Sequence, residues 1–454
     1  MSANKPVLDL GTDRIVMDRS IAPKLIHFPA KSKVDIKAIW VDDVNVAWTS
    51  TASFITDEQG SCDLSQATPV AGSYAEPGVD GLFWSMTPDA PEGHAAFKQQ
   101  GAAPTETGVK RGHRLGLPEV QSDDPHSIQF QARVSGELLA EAELIREFYP
   151  ASVVETELRE GRLRGMLFEP QAVNRPDRGY PGVILISGSG GGIYRQDAAI
   201  LASHGFSVLA LAYFNYEDLS QYQLGVPVEY FREAIDWFRQ HLGHDRIGIT
   251  GPSKGGEGSF IVASYLPDMI KAVVPVVPGD LQLCAVDETG TPHAAWTLEG
   301  EPLPWAGTLE DWERVPPELK VPTDGKLFNA RMNLEPFYAA SDIYERAAIP
   351  IERMQCPVLI IWGEDDEAWP SKLAVERATE RLKACNYAFD VESFTVPESG
   401  HMFTFPGLPT MLSDSILHPL LPINMTMGGT PAGIARLQRE GWRKMIDFFR
   451  SHLA

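Results

Sequence analysis

The hydrophobic pattern of this chain changes its period near residue 150, and this change constrains the fold more than any other feature. Before this point, segments such as KVDIKAIW and SIQFQARV alternate apolar and polar residues with a period of two, which is typical of half-buried strands. After it, continuous apolar segments such as SVLALAY and PVLIIWG alternate with amphipathic segments of helical period. We therefore expect an α/β protein, with a β-rich domain over residues 1–150 and a mostly parallel sheet over residues 151–454.

Turns refine this division. SIQFQARV is followed by Ser135-Gly136 and then by ELLAEAEL, a pattern that predicts a β-hairpin. Glycine- and proline-bearing turns occur at short intervals in the same region, as in PVAGSYAEPGVDG, which favours a β-sandwich. In the second part, residues 278–350 interrupt the alternation of strands and helices with proline, tryptophan and polar residues. We expect them to form an insertion that serves as a lid or pocket wall.

Charge and composition exclude several classes of protein. The chain has 39 Lys and Arg against 61 Asp and Glu, a formal net charge of −22 at pH 7. Because attraction to phosphates supplies most nucleic-acid affinity, such a chain is a poor nucleic-acid binder. Its apolar runs are far shorter than the ~20 residues that a membrane helix needs, so no membrane partner is expected.

The four cysteines form no CxxC pair and no Cys/His cluster with zinc-ligand spacing, so we expect reduced thiols, no metal and no cofactor. The start of the sequence lacks a basic segment followed by an apolar one, and the end lacks a targeting tripeptide. These features predict a cytoplasmic protein, and they allow a homo-oligomer.

The strongest chemical signal is Gly251-Pro252-Ser253-Lys254-Gly255, which directly follows the strand RIGIT. A G-x-S-x-G segment between a strand and a helix is a nucleophile elbow, in which a strained turn exposes the serine hydroxyl. The alternative is an ordinary strand-to-helix turn. We favour Ser253 as a nucleophile because both the strand before it and the helix after it are predicted.

A serine hydroxyl is a weak nucleophile and needs a general base that a carboxylate orients. Of the eleven histidines, His401 and His418 offer a late loop position before the final helix. His401 lies in the small-residue loop PESGHMF after the strand FDVESFTV, whereas His418 lies in the apolar stretch ILHPLLP and is better suited to packing or capping. We predict His401 as the base.

The acid is expected at the end of the strand PVLIIWG, which is followed by Glu364, Asp365 and Asp366. Asp366 is favoured over Asp365 because a carboxylate three residues beyond Gly363 is better placed to point back over the sheet. A solvated acidic turn is the alternative.

The glycine loop SGSGGG follows the strand VILI and has two interpretations. One is a phosphate cradle, although the loop lacks the G-K-[ST] of a P-loop and matches a dinucleotide fingerprint only loosely. The other is an oxyanion loop, favoured here because a serine elbow follows it. The expected donors are the backbone N–H of Lys254 and one from Ser189, Gly190 or Gly191.

Several strings together resemble one family. They are LISGSGGG, SHGFSVLALAYFNYEDL, VEYFREAIDWF, GPSKGGE, IPIERMQCPVLIIWGEDDEAWPS, SGHMF and the late GGTP, with YAEPGVDGLFWSM and EGRLRGMLFEP in the first part. They are similar to the acyl-CoA thioesterase/bile-acid-CoA:amino acid N-acyltransferase family, in order along nearly the whole chain. The resemblance implies an immunoglobulin-like β-sandwich domain followed by an α/β-hydrolase domain.

The resemblance also implies cleavage of acyl thioesters of coenzyme A through Ser253 as nucleophile, Asp366 as acid and His401 as base. The acyltransferase branch of the family carries a cysteine at the nucleophile position, so a serine favours hydrolysis. A coenzyme A site would need local cations in this acidic chain, and the basic residues considered for it are Arg195, Lys254 and Arg346. A carboxylesterase acting on another acyl ester is the main alternative, and an amino acid N-acyltransferase is a weaker one.

Overall fold

A computed structural model describes residues 4–89, 118, 124–171, 176–320, 327–411, 413, 415–418 and 423–454. The chain forms two compact units. The first contains the described residues up to Pro150 together with the late segment Phe405–Ser413, and the second contains the remainder. In the described ranges, none of the helices combines the length and apolar character needed to cross a bilayer.

The first unit is β-rich, as the period-two pattern predicts. In β4 the alternating residues Val34, Ile36, Ala38 and Trp40 are all buried. Its described elements are β1 (Val7–Asp9), β2 (Arg14–Val16), β3 (Lys24–Ile26), β4 (Lys33–Val41), β5 (Ala47–Ile55), β6 (Cys62–Asp63), β7 (Ala71–Gly72), α1 (Gly81–Trp84), β8 (Thr87–Pro88), β9 (His126–Val134) and β10 (Glu137–Glu147).

These strands form two sheets. One has the order β1-β3-β6, and the other has the order β2-β10-β9-β4-β5-β7, with β8 also paired to β5. The predicted hairpin is β9–β10, which pairs Val134 with Glu137 across a two-residue turn. The turn residues Ser135 and Gly136 both have positive φ, at 50° and 85°, as a tight hairpin requires.

The second unit alternates strands and helices around a large central sheet. Its strands are β11 (Val153–Glu160), β12 (Leu163–Pro170), β13 (Gly182–Ile186), β14 (Ser207–Ala212), β15 (Val226–Pro227), β16 (Ile247–Pro252), β17 (Ala272–Val276), β18 (Ala285–Val286), β19 (Pro292–His293), β20 (Trp296–Leu298), β21 (Glu301–Pro302), β22 (Val358–Ile361), β23 (Val391–Phe394), β24 (Ser415–Leu417) and β25 (Asn424–Thr426). Its helices are α2 (Arg195–Ala202), α3 (Val228–Leu242), α4 (Lys254–Tyr265), α5 (Leu309–Glu313), α6 (Ala330–Ala339), α7 (Ser341–Ala347), α8 (Ser371–Ala384) and α9 (Pro431–His452).

The central sheet has the order β11-β12-β14-β13-β16-β17-β22-β23. From β14 to β23 every neighbouring pair is parallel, which confirms the predicted mostly parallel sheet. The hairpin β11–β12 adds two antiparallel strands at one edge, a feature that the sequence pattern did not indicate. The core of the sheet consists of fully apolar strands such as β13, in which each residue is buried. The α/β fold class with a β-rich N-terminal domain is therefore confirmed.

The residues between β17 and β22 form a separate group of small elements. They contain the hairpin β18–β19, the strands β20 and β21, which join β15 in a three-stranded sheet, and the helices α5, α6 and α7. Leu281, Phe337 and Tyr338 contribute to a second buried cluster in this region. Residues 321–326 of the predicted insertion lie outside the described residues.

Candidate active site

Ser253 occupies a strained turn between β16 and α4. Its backbone has φ 58° and ψ −119°, a conformation that side-chain-bearing residues rarely adopt. Hydrogen bonds hold the turn: the Ser253 N–H donates to the Val276 carbonyl at 2.8 Å, and the Ser253 carbonyl accepts from the N–H groups of Gly256 and Glu257. The strand-turn-helix context expected of a nucleophile elbow is present.

The glycines around this serine are required by close backbone approach. A methyl group on Gly255 would lie 2.7 Å from the Ser187 carbonyl oxygen, so a side chain there would collide with the loop after β13. A methyl group on Gly188 would lie 3.0 Å from the Pro252 carbonyl oxygen and 3.5 Å from the Ser253 Cβ. The glycine loop therefore runs directly beside Ser253.

His401 and Asp366 form a buried pair. The His401 Nδ1 lies 2.8 Å from the Asp366 Oδ2, and 8% of His401 and 2% of Asp366 are exposed. Asp366 follows β22 and His401 follows β23, and these strands are parallel neighbours whose carboxyl ends share one edge of the sheet. The Trp369 ring stacks on the imidazole at a centroid distance of 6.5 Å and an angle of 15°.

The Asp366 carboxylate is fully engaged. Oδ1 accepts the backbone N–H groups of Ala368 and Trp369 at 2.9 and 2.8 Å, and Oδ2 accepts the Ser371 hydroxyl in addition to His401. Hydrogen bonds to the charged form stabilise a buried carboxylate. The arrangement fixes the orientation of Asp366, and through it the orientation of the His401 ring.

Ser253 follows β16, two strands away from β22 in the same parallel sheet, so it lies at the same edge as Asp366 and His401. Within the described part of the chain, no hydrogen bond joins the Ser253 hydroxyl to the His401 Nε2. Catalytic hydrogen bonds in ligand-free enzymes are often long and tighten when the substrate binds.

The two alternatives considered from the sequence lie elsewhere. The Asp365 side chain accepts the N–H of Gly429 at 3.3 Å and does not bond to His401. His418 adjoins β24, where its backbone N–H donates to the Ile423 carbonyl at 2.8 Å. The structure thus joins His401 to Asp366, and neither to Asp365 nor to His418.

The glycine loop after β13 contains backbone N–H groups that donate to protein acceptors and others that do not. The N–H of Gly188 donates to the Tyr194 hydroxyl, that of Gly191 to the Gly188 carbonyl, and that of Gly192 to the Phe214 carbonyl. Among the described residues, the N–H groups of Ser189 and Gly190 have no protein acceptor. The Lys254 N–H lies in the first turn of α4, where no intrahelical acceptor exists. These three N–H groups are free to bind an anionic oxygen.

The Lys254 side chain is buried, with 5% of the residue exposed. Its Nζ donates to both carboxylate oxygens of Glu257 and to the Leu283 carbonyl, each at 2.8 Å. Glu257 is completely buried and also accepts the Trp296 indole N–H at 2.8 Å. Burial raises the pKa of the Glu257 carboxyl, an effect that the Lys254 ammonium opposes. Neither Glu257 nor Trp296 was predicted as a functional residue, although the i,i+3 spacing of Lys254 and Glu257 in the sequence is compatible with an ion pair on one helix face.

Each residue considered for a cationic patch has a carboxylate partner within this unit. Arg195 contacts Glu155 at 2.7 Å, Arg346 contacts Asp311 at 2.5 Å, and Lys254 is held by Glu257. The structure therefore uses all three in intramolecular ion pairs. In the described ranges, no cluster of three or more His, Cys, Asp and Glu side chains is arranged to hold a metal ion.

A serine in a strained strand-to-helix turn, at the carboxyl edge of a mostly parallel sheet, defines the class of this protein as an enzyme of the α/β-hydrolase fold. Two family models match the chain. The "Acyl-CoA thioester hydrolase/BAAT N-terminal region" matches residues 24–160, and the "BAAT / Acyl-CoA thioester hydrolase C terminal" region matches residues 226–454. The chain therefore belongs to the acyl-CoA thioester hydrolase/BAAT family.

The relatives that match the chain over nearly its whole length include thioesterases and an amino acid N-acyltransferase. The human mitochondrial acyl-coenzyme A thioesterase 2 is 31% identical over 92% of this chain and 78% of its own. The human acyl-coenzyme A thioesterase 1 is 30% identical over 92% of this chain and 90% of its own. The mouse acyl-coenzyme A amino acid N-acyltransferase 1 is 29% identical over 96% of this chain and 95% of its own. Identities of this size do not separate the two activities.

Proposed function

We propose that the protein is a serine thioesterase that hydrolyses acyl-CoA to a free acid and coenzyme A. The observation that carries this proposal is the Asp366–His401 pair at the same sheet edge as Ser253, in a chain whose relatives act on acyl-CoA. Acyl transfer from a thioester requires a nucleophile, a base and oxyanion donors, and residues suited to each role are present.

The first half-reaction transfers the acyl group to the enzyme. The Ser253 hydroxyl attacks the thioester carbonyl carbon and its proton passes to the His401 Nε2. The carbonyl oxygen becomes an oxyanion that accepts hydrogen bonds from the Lys254 N–H and from the N–H of Ser189 or Gly190. The C–S bond then breaks, and the coenzyme A thiolate leaves with the proton from His401.

The second half-reaction releases the acid. A water molecule gives a proton to His401 and attacks the ester carbonyl of the acyl-Ser253. The intermediate collapses, Ser253 recovers its proton from the imidazolium, and the free acid leaves. Asp366 remains ionised throughout and stabilises the imidazolium in both steps.

The identity of the nucleophile favours water over an amine as the acceptor. An acyl-serine is an oxygen ester, which reacts less readily with amines than the thioester that a cysteine nucleophile would form. Serine at position 253 therefore supports hydrolysis rather than transfer to an amino acid.

A carboxylesterase on the same three residues is the second candidate. It is favoured by the ion pairs of Arg195, Lys254 and Arg346, which leave these three cations engaged with carboxylates rather than available to the phosphates of coenzyme A.

The test compares acyl-CoAs of increasing chain length with matched p-nitrophenyl esters, with and without glycine or taurine, and identifies the products by mass spectrometry. The proposal predicts thiol and free acid in equal amounts, with no N-acyl amino acid. Ester cleavage without thiol release would make the protein a carboxylesterase, and an N-acyl product would make it a transferase.

A further inference from the structure

The backbone N–H groups available to an oxyanion come from two different elements. Lys254 is the first residue of α4, whereas Ser189 and Gly190 belong to the loop after β13. An oxyanion hole works only when its donors are held at hydrogen-bond distance from one developing charge. The spacing between α4 and this loop is therefore a quantity that the fold must fix.

A buried chain of contacts starts at the Lys254 side chain. Its ammonium is held by the carboxylate of Glu257, one turn further along α4, and by the carbonyl of Leu283 between β17 and β18. Because burying a charge is costly unless it is paired and hydrogen-bonded, this ion pair resists displacement. The first turn of α4 is thereby fixed to the residues that follow β17.

This network of contacts continues from Glu257 to Trp296. The indole N–H donates to the Glu257 Oε1 at 2.8 Å, and Trp296 is 2% exposed. A methyl group on Gly258 would lie 3.0 Å from both the Trp296 ring and the Ile186 side chain, so the helix packs closely on the indole and on β13. Trp296 therefore has one defined position relative to α4.

The network of contacts ends at the glycine loop after β13. The Tyr213 ring stacks on Trp296 at a centroid distance of 5.8 Å and an angle of 12°. Its hydroxyl donates to the Ser187 carbonyl at 2.8 Å, and Ser187 immediately precedes Gly188 and Ser189. Tyr213 is 5% exposed, so water competes little for this bond.

We propose that Glu257, Trp296 and Tyr213 are positioning residues that set the distance between the two sets of oxyanion donors. The network connects the Lys254 end of α4 to Ser187 at the start of the glycine loop without touching the reacting atoms. This inference rests on the proposed acyl-transfer function of Ser253, but it holds for any acyl substrate.

The test is Tyr213→Phe, which keeps the stacked ring and removes only the hydrogen bond to Ser187. We expect kcat to fall about tenfold with KM changed less than about twofold, because a misplaced donor weakens the transition state more than the bound substrate. The affinity for a trifluoromethyl ketone of the same acyl chain should fall in parallel with kcat. Trp296→Phe, which removes the indole N–H to Glu257, should lower kcat at least as much.

The matched control is Tyr387→Phe. The Tyr387 hydroxyl also donates to a backbone carbonyl, that of Cys356 at 2.7 Å, but this bond lies before β22, at the opposite edge of the sheet. Its removal should leave kcat unchanged. Unchanged kcat in both Tyr213→Phe and Trp296→Phe would overturn the inference, as would an equal loss in Tyr387→Phe.

A second readout separates this inference from the proposed function. The rate at which a fluorophosphonate labels Ser253 also depends on the oxyanion donors and needs no acyl-CoA. If the wild-type protein is labelled but releases no thiol, the thioesterase proposal fails, and slower labelling of Tyr213→Phe would still support the network. Equal labelling rates, or no labelling of the wild type, would overturn the network.

Discussion

Asp366 and His401 are 35 residues apart in the chain, yet the Asp366 Oδ2 lies 2.8 Å from the His401 Nδ1. The relationship follows from the parallel pairing of β22 with β23, which brings the loops at their carboxyl ends together. Each Asp366 oxygen accepts two hydrogen bonds, so the carboxylate can take one orientation only. The direction of the His401 Nε2 is therefore fixed before substrate binds.

Asp366→Asn should lower kcat by roughly 10³–10⁴, because an amide in this position favours the wrong imidazole tautomer and does not stabilise the imidazolium. Asp365→Asn is the matched control, since Asp365 contacts Gly429 and not His401. It should keep kcat within about threefold. Thiol-release kinetics measure both, and equal losses in the two variants would contradict the assignment of the acid.

Lys254→Met should destabilise the protein by about 3–5 kcal/mol, because it leaves the buried Glu257 carboxylate without its cation. Adding Glu257→Gln removes the uncompensated charge and keeps an acceptor for the Trp296 N–H. The double variant should recover most of the lost stability. Denaturant unfolding provides the measurement, and a double variant no more stable than Lys254→Met would refute the pairing.

Gly255→Ala should destabilise the protein by about 1–3 kcal/mol, although alanine is normally the better residue in a helix. The added methyl group would lie 2.7 Å from the Ser187 carbonyl oxygen and 2.9 Å from that of Ile186, and both are backbone atoms that cannot rotate away. The loop beside Ser253 would have to shift. A melting temperature equal to or above that of the wild type would show that the elbow is less tightly packed than described.

Asp280 gives the folded protein a defined pH dependence. The residue is fully buried, and burial raises the pKa of its carboxyl to about 6, against the opposing effects of Tyr344 and Arg381. The carboxyl of an unfolded Asp has a pKa of about 3.9, so between about pH 4 and pH 6 the folded state binds more protons than the unfolded state. Its contribution to stability is complete below this window and is lost as the pH rises through it.

As the pH rises through this window, the free energy of unfolding should decrease by roughly 3 kcal/mol because of Asp280. Asp280→Asn does not titrate, so the unfolding free energy of the wild type relative to this variant should decrease from pH 4.5 to about pH 7 and then level off. Urea unfolding at a series of pH values measures the difference. A difference that is constant or increases with pH would contradict the prediction.

Local patterns predicted the parallel strands of the central sheet, whereas they did not indicate the antiparallel hairpin β11–β12 at its edge. A helical period also predicts α3, which spans Val228–Leu242 and buries its regularly spaced apolar residues Phe231, Ala234, Ile235, Phe238 and Leu242. Asp366 and His401 were predicted as acid and base because the carboxyl ends of parallel strands converge on one edge of the sheet, which leaves few positions for a carboxylate and a histidine. Their catalytic roles remain a proposal.

Contacts between distant segments could not be predicted in this way. Trp296 contacts both Tyr213 and Glu257 because the residues between β17 and β22 fold back onto α4. The hydrophobic periodicity of a single segment does not indicate such a long-range contact. Arg146 gives a second example: its guanidinium is buried and donates to the Gly407 carbonyl at 2.8 Å, which places a late segment in the first unit. Ion pairs such as Arg195–Glu155 are equally invisible in a single sequence.

The most direct test of the account is to mix the protein with an acyl-CoA and to measure both the thiol burst and the mass of the intact protein. We expect one equivalent of thiol per active site in the first turnover, and an added acyl mass that peptide mapping assigns to Ser253. Ser253→Ala should show neither signal. Thiol release that continues undiminished in Ser253→Ala would show that this serine does not carry the acyl group.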